Sequence, residues 1–112
     1  MCNDFHPTVY LFASGYNGTL YLGVTSHLLR RIAQHRNGTF EGFSSKYGVR
    51  KLVWFEQHST IERAILREKQ IKKWRRAWKI ELIEAGNPRW RDLAEEFGFE
   101  PLLRNGFPLS RE

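Results

Sequence analysis

The sequence predicts a small α/β domain of the α+β kind: a three-stranded sheet, at least partly antiparallel, covered by helices. Three observations predict it. Two runs rich in β-formers, Thr8 to Ala13 and Leu20 to Thr25, flank Asn17-Gly18. Asn-Gly in that setting is the strongest short hairpin signal, because both residues tolerate positive φ in a type I′ turn. A third such run spans Lys51 to Glu56, and from Ile61 onward apolar residues recur at helical spacing. A chain of 112 residues is expected to be a single domain, 1–112.

With Asn17 and Gly18 as the two turn residues, paired positions sum to 35, so Tyr21 faces Ser14 and Val24 faces Leu11. Alternation along the strands places Tyr10, Phe12, Ser14, Tyr21, Gly23 and Thr25 on one face. Val9, Leu11, Ala13, Leu20, Leu22 and Val24 take the other, which reads as the core side. Ser26 can cap a helix from about His27 to Asn37, stopped by Gly38. Residues 39–50 read as loop, with Gly42, Ser44, Ser45 and Gly48. Ser59-Thr60-Ile61-Glu62 reads as a capping box, Ser59 at the N-cap and Glu62 at N3, opening a long helix to about Lys73. A further helix covers Trp78 to Ala85 and ends at Gly86. Asn87-Pro88 opens a last one, about Arg89 to Phe97, and the tail from Gly98 reads as irregular.

No apolar run approaches the ~20 residues that span a bilayer, and the first seven residues lack the charged and apolar regions of a secretory signal. Cys2 is the only cysteine, which excludes an intrachain disulfide and argues against a cysteine-based zinc site. These points argue for the cytoplasm. Eighteen Lys and Arg oppose twelve Asp and Glu, a net charge of +6. The excess is concentrated: from Arg63 to Lys79 there are eight basic residues and one acid, Glu68. A face that meets a polyanion is the expected reading; a merely solvated helix fits the same run.

Arg31 and His35 lie four apart and share a helix face beside Leu28 and Ile32. There a guanidinium can clamp a phosphate and an imidazole can relay a proton; a surface arginine and a histidine packed on the sheet edge fit the same spacing. Glu68 falls inside the stripe of Ile61, Ala64, Ile65 and Ile71, where a core residue is expected. A carboxylate there is costly unless it is paired or holds a metal. A buried salt bridge, a metal ligand, and a helix rotated to leave Glu68 at its margin all fit. Trp74, Trp78 and Trp90 stand among basic residues; closing a small core is the expected role, stacking on exposed bases the other. His6, His27 and His58 have no ligand-like spacing.

Thr8-Val9-Tyr10, then Tyr21-Leu22-Gly23, then Arg31 and Glu68 resemble the GIY-YIG nuclease family, whose name spells the two triplets. The likeness covers roughly residues 7–84, leaving 85–112 as a C-terminal helix and tail. Gly42 to Tyr47, Leu52 to Glu56, Arg67 to Trp74 and Asn87 to Leu93 make it closest to the small stand-alone bacterial members; the family also includes the N-terminal nuclease domain of an excinuclease. The resemblance implies a three-stranded antiparallel sheet flanked by helices and one divalent ion, Mg²⁺ or Mn²⁺, held by Glu68. It implies Tyr10 as general base for the attacking water or as the group that positions it, Tyr21 as a hydrogen-bond partner of the phosphate or water, and Arg31 as a balance for transition-state charge. His35 would help Tyr10 lose its proton, and Asn87 would support the site. A free phenol has a pKa near 10, so a base role needs a nearby cation or a metal-bound network to stabilise the phenolate, and Arg31 and His35 are expected suppliers. The first triplet departs from the family pattern: Thr8 replaces glycine and Val9 isoleucine, while every implied catalytic position is kept.

The function implied is a metal-dependent endonuclease acting on DNA phosphodiesters, in repair or recombination, on branched, nicked or single-stranded DNA and away from membranes. The alternatives are a non-catalytic nucleic-acid-binding module of the same fold, and an adaptor whose tryptophan-rich basic helices dock a protein.

Overall fold

The computed structural model describes residues 6–37 and 48–99. The expected stop at Gly38, the loop over 39–47 and the tail beyond 99 lie outside the described residues.

Strands β1 (Thr8–Ala13), β2 (Leu20–Thr25) and β3 (Lys51–Gln57) form one antiparallel sheet in the order β2-β1-β3. The hairpin joining β1 to β2 differs from the two-residue turn expected. Gly15 to Gly18 form a four-residue loop, closed by Ser14 N–H donating to Thr19 O and Gly18 N–H donating to Gly15 O, both at 3.0 Å. The Ser14 hydroxyl accepts Thr19 N–H at 2.9 Å, and Asn17 is the residue at positive φ. Pairing therefore moves by two: Tyr10 lies opposite Gly23 and Phe12 opposite Tyr21. A shift of two preserves side-chain parity, so the two tyrosines still share a face, but Tyr10 acquires a glycine as its neighbour. On the other side of β1 the register slips between Leu11 and Phe12. This β-bulge leaves Val53 as the extra residue, packed with Trp54 on one face.

Both faces of the sheet are covered, which corrects the expectation that the tyrosine face stands opposite the core. Helix α1 (Leu28–Asn37) lays Leu28 and Ile32 on Tyr10, Phe12 and Leu52. Helices α2 (Ile61–Lys72) and α3 (Arg76–Gly86) cover the opposite face: Ala64 and Ile71 meet Val9, and Ile83 meets Leu11 and Ala13. As the central strand, β1 is buried along its whole length, and its unbroken apolar run with a single tyrosine suits that position.

The caps differ from expectation by one residue. Thr25 rather than Ser26 receives the His27 N–H, at 3.0 Å. Thr60 rather than Ser59 caps α2, its hydroxyl accepting Arg63 N–H at 3.2 Å. The last expected helix is absent. Pro88 lies in a turn, Trp90 takes φ 57°, and only a 3-10 segment, Leu93–Phe97, follows. Trp90 is fully buried, and its indole N–H donates to Glu84 at 2.7 Å. Asp92 joins three parts of the fold: it pairs with Arg36 of α1 at 2.8 Å and accepts Leu52 N–H and Ala94 N–H, each at 3.1 Å. Breaking such a buried pair is expensive because it strands the surviving charge, so this contact holds α1 in place against the sheet.

Candidate active site

Tyr10 is the centre of the site. Its ring passes over Gly23 of the edge strand β2: a Cβ on Gly23 would meet the phenol hydroxyl and lie 2.6 Å from Cζ. Glycine is thus what admits the tyrosine. The hydroxyl accepts a hydrogen bond from the Arg31 guanidinium at 3.2 Å. Arg31 reaches it from α1, one turn before His35.

His35 is buried against three aromatic rings. Phe12 lies 3.9 Å away between ring centroids, Tyr21 5.2 Å and Tyr10 6.0 Å, all in edge-to-face contact. Its Nδ1 bonds Val49 O at 3.1 Å. Four of the residues singled out in the sequence, Tyr10, Tyr21, Arg31 and His35, therefore converge on one patch where α1 meets the β2 side of the sheet.

Glu68 comes from the opposite layer. It lies on α2, which packs on β1 and β2, between buried Ala64 and Ile71. The stripe is narrower than expected, with Ile65 38% exposed. The Glu68 side chain is 14% exposed and pairs with Lys72 at 3.5 Å, one turn on, whose own side chain is 70% exposed. Among the described residues, an exposed surface lysine rather than a buried arginine pairs with this carboxylate, and such pairs contribute little. Of the charges that shift the Tyr10 phenol, that of Glu68 has the smallest effect.

Burial pushes the Tyr10 phenol up to about 12, against the guanidinium of Arg31, which lowers it; Tyr21 and Glu68 add to the rise. Arg31 eases Tyr10 toward its phenolate as expected, but desolvation outweighs it, and the expectation that His35 adds a cation is corrected by its own lowered pKa. His35 moves the other way. Burial lowers it to about 4, opposed by its bond to Val49 O and reinforced by Arg31 and Arg50. It is a neutral imidazole at pH 7 and supplies no positive charge.

The lowered His35 has a consequence for stability. Its folded pKa lies below the usual 6.5, so the unfolded chain takes up the proton first as pH falls. Stability is unaffected above about pH 7, is lost between about 6.5 and 4, and levels off below the folded value. Between pH 7.5 and pH 5 the expected loss is about 2 kcal/mol. Urea unfolding of the parent and of His35→Gln at both pH values measures it; an equal pH dependence in the two proteins would remove His35 as the cause.

Asn87 is not hydrogen-bonded to the other candidate residues. Its side chain donates to Val53 O at 3.1 Å and Arg91 O at 2.9 Å and accepts Arg91 N–H at 2.9 Å, locking the turn after α3. Sequence reasoning missed Gly23 as a site residue, because the assumed register did not place it opposite Tyr10. It also missed Arg36 and Asp92, whose pairing nothing local in the sequence announces.

Among the described residues, no three His, Cys, Asp or Glu side chains are grouped to hold an ion. The donor set nonetheless suits a hard cation: one carboxylate, loosely paired and oxygen-only, is what Mg²⁺ takes from protein when water and substrate phosphate complete its shell. Among the described residues, no helix is long and apolar enough to cross a membrane.

Comparison with known sequences identifies a match to the GIY-YIG catalytic domain over residues 6–81. A UPF0213 protein of Clostridium perfringens is 39% identical over 67 residues, covering 60% of this chain and 72% of that protein. A UPF0213 protein of Staphylococcus saprophyticus is 33% identical over 70 residues, 62% and 85% of the two chains. One from Haloquadratum walsbyi is 33% identical over 84 residues, 75% and 92%. No solved structure matches the chain.

Proposed function

We propose that this chain, which belongs to the GIY-YIG family of nucleases, is a divalent-metal-dependent endonuclease that hydrolyses DNA phosphodiester bonds. The observation that carries the reading is the meeting of Tyr10, Arg31, Tyr21 and His35 at the β2 side of the sheet, with Glu68 on the helix packed against β1 and β2.

Glu68 is the residue that would hold the ion, Mg²⁺ or Mn²⁺; bound there, the ion would neutralise charge on the scissile phosphate and its leaving oxygen. Arg31 has two roles. It fixes the Tyr10 oxygen at 3.2 Å, and its guanidinium charge offsets the extra negative charge of the five-coordinate phosphorus. Tyr10 orients the attacking water and takes its proton in the ionised fraction of the protein. Tyr21, packed on His35, directs its hydroxyl to the phosphate or its water. Neutral His35 serves as an acceptor and as the packing wedge that sets both phenols. Asn87 acts from behind, by fixing the turn that carries Trp90 and Asp92.

If Tyr10 is the base, its elevated pKa sets the pH profile. Single-turnover cleavage is expected to rise about tenfold per pH unit from 7 to 9. A flat profile would confine Tyr10 to positioning. The activity itself is tested by nicking of supercoiled, branched and single-stranded DNA with Mg²⁺ or Mn²⁺ at protein excess. Absence of cleavage on all three overturns the proposal and leaves the binding-module alternative.

A further inference from the structure

The basic segment does not all serve one purpose. Arg67 is bound by Glu56 at 3.0 Å and Gln70 at 3.1 Å and lies over the Trp74 ring. Arg76 holds the hairpin loop through Asn17 O and Gly18 O. Lys69, Lys72 and Lys73 remain exposed. Beside them stand two tryptophans, of which Trp74 packs against the core of Val9, Ala64 and Ile71 as expected and Trp78 does not. Trp78 is 47% exposed, and Trp74 is half-buried and meets Trp78 edge-to-face at 6.0 Å. The pair forms a wall between two clefts. One, of about 500 Å³, runs along Leu66, Lys69 and Lys73. The other, of about 350 Å³, is bordered by Glu81 and Leu82.

Helical geometry links this wall to the catalytic carboxylate. At about 100° per residue, Lys72, Lys69 and Lys73 step round α2 at about 40°, 100° and 140° from Glu68. The lysines form a track leading from Glu68, over a helix ~10–12 Å across, to the tryptophan cleft. A row of ammonium groups ending at the exposed indole of Trp78, which carries the Arg75 guanidinium over its ring at 5.2 Å, complements a strand whose phosphates are charged and whose bases are unpaired. In a duplex the bases are stacked on each other and their faces are not available to an indole. Glu81, at the rim of the smaller cleft, offers an acceptor to base N–H groups and no attraction to phosphate.

We propose that the Trp74–Trp78 cleft is a stacking site for an unpaired nucleobase, with Lys69, Lys72 and Lys73 carrying the phosphates between that base and the scissile bond. The substrate class is then nucleic acid with a single-stranded segment flanking the cut. This rests on the nuclease reading for what happens at Glu68, but the cleft binds its base without cleavage.

The test is fluorescence anisotropy in EDTA, so that binding is read apart from hydrolysis. The probes are a labelled single strand, a duplex of the same sequence, and an oligomer of abasic deoxyribose phosphates that keeps the charge and lacks the bases. Trp78→Ala is expected to lower single-strand affinity by about 5- to 150-fold, with Trp78→Phe retaining most of it. Abasic and duplex affinities stay within about twofold, since only the base-stacking energy is removed. Lys69→Ala with Lys73→Ala should weaken all three and reduce the salt slope by about 1–2. Equal losses on all probes, or no loss on any, overturn the proposal; the latter is the result for a surface that docks a protein. If the parent cleaves nothing yet shows this binding pattern, the nuclease reading fails and the stacking site stands.

Discussion

Glu68→Gln is expected to lower metal-supported cleavage by about 100-fold or more while leaving the fold intact. Glutamine matches glutamate in size and removes only the charge, so the side chain keeps its place between Ala64 and Ile71 on α2. The lost ion pair is with Lys72, 70% exposed at 3.5 Å, and pairs of that kind contribute about 0.3–0.5 kcal/mol. The catalytic loss is larger because the carboxylate is the one proposed anchor for a cation that offsets charge on phosphate and leaving oxygen, a kind of stabilisation whose removal costs orders of magnitude in rate. Three readings separate the roles: single-turnover nicking across a Mn²⁺ titration, calorimetric Mn²⁺ binding, and thermal melting. Unchanged cleavage and Mn²⁺ affinity in a normally folded variant would remove Glu68 from the site.

Gly23→Ala is expected to damage both stability and rate. The β2 backbone at this position is ordinary strand, so the penalty comes from contact. The added methyl would meet the Tyr10 hydroxyl and lie 2.6 Å from Cζ, closer than nonbonded carbons approach, and Tyr10 is fully buried with Phe12 and Ile32 behind it. Overpacking of this kind costs about 1–3 kcal/mol. Displacing the phenol also breaks its alignment with Arg31, and a misplacement of ~1 Å can cost about 100-fold in rate. A mutant cycle isolates the mechanism: in a Tyr10→Phe background, Gly23→Ala should cost little further activity. Additive losses would mean that Gly23 acts on something other than Tyr10.

Tyr10 and Tyr21 were legible as neighbours on one sheet face because side-chain parity survives a turn lengthened by two residues. Gly23 was not legible as their partner, because register depends on how the Gly15–Gly18 loop closes, and Asn17-Gly18 alone suggests a tighter turn. Glu68 was legible as an anomaly in an apolar stripe, but three explanations fitted; the weakly held Lys72 pair disfavours the buried arginine bridge. Trp90 and Trp78 carried the same sequence signal, an indole among basic residues, and ended in opposite places. Trp90 follows a proline turn that inserts it under the sheet, while Trp78 opens α3 on the side facing solvent.

The sequence by itself determined the three strands, the hairpin, the order of the helices up to α3, the family, and the net positive charge, because each is written in local periodicity, turn residues or composition. Tertiary structure decided what depends on density and distance. It set burial on both faces of β1, which raises the Tyr10 pKa above its free value and lowers that of His35, against the charge-based expectation. It replaced the last helix with a strained turn at Trp90, and it paired Arg36 with Asp92 across 56 positions. It also left Trp78 outside the core, while Trp74 packs at its edge. Desolvation and side-chain packing are sums over neighbours distant in the chain, and no window of sequence contains them.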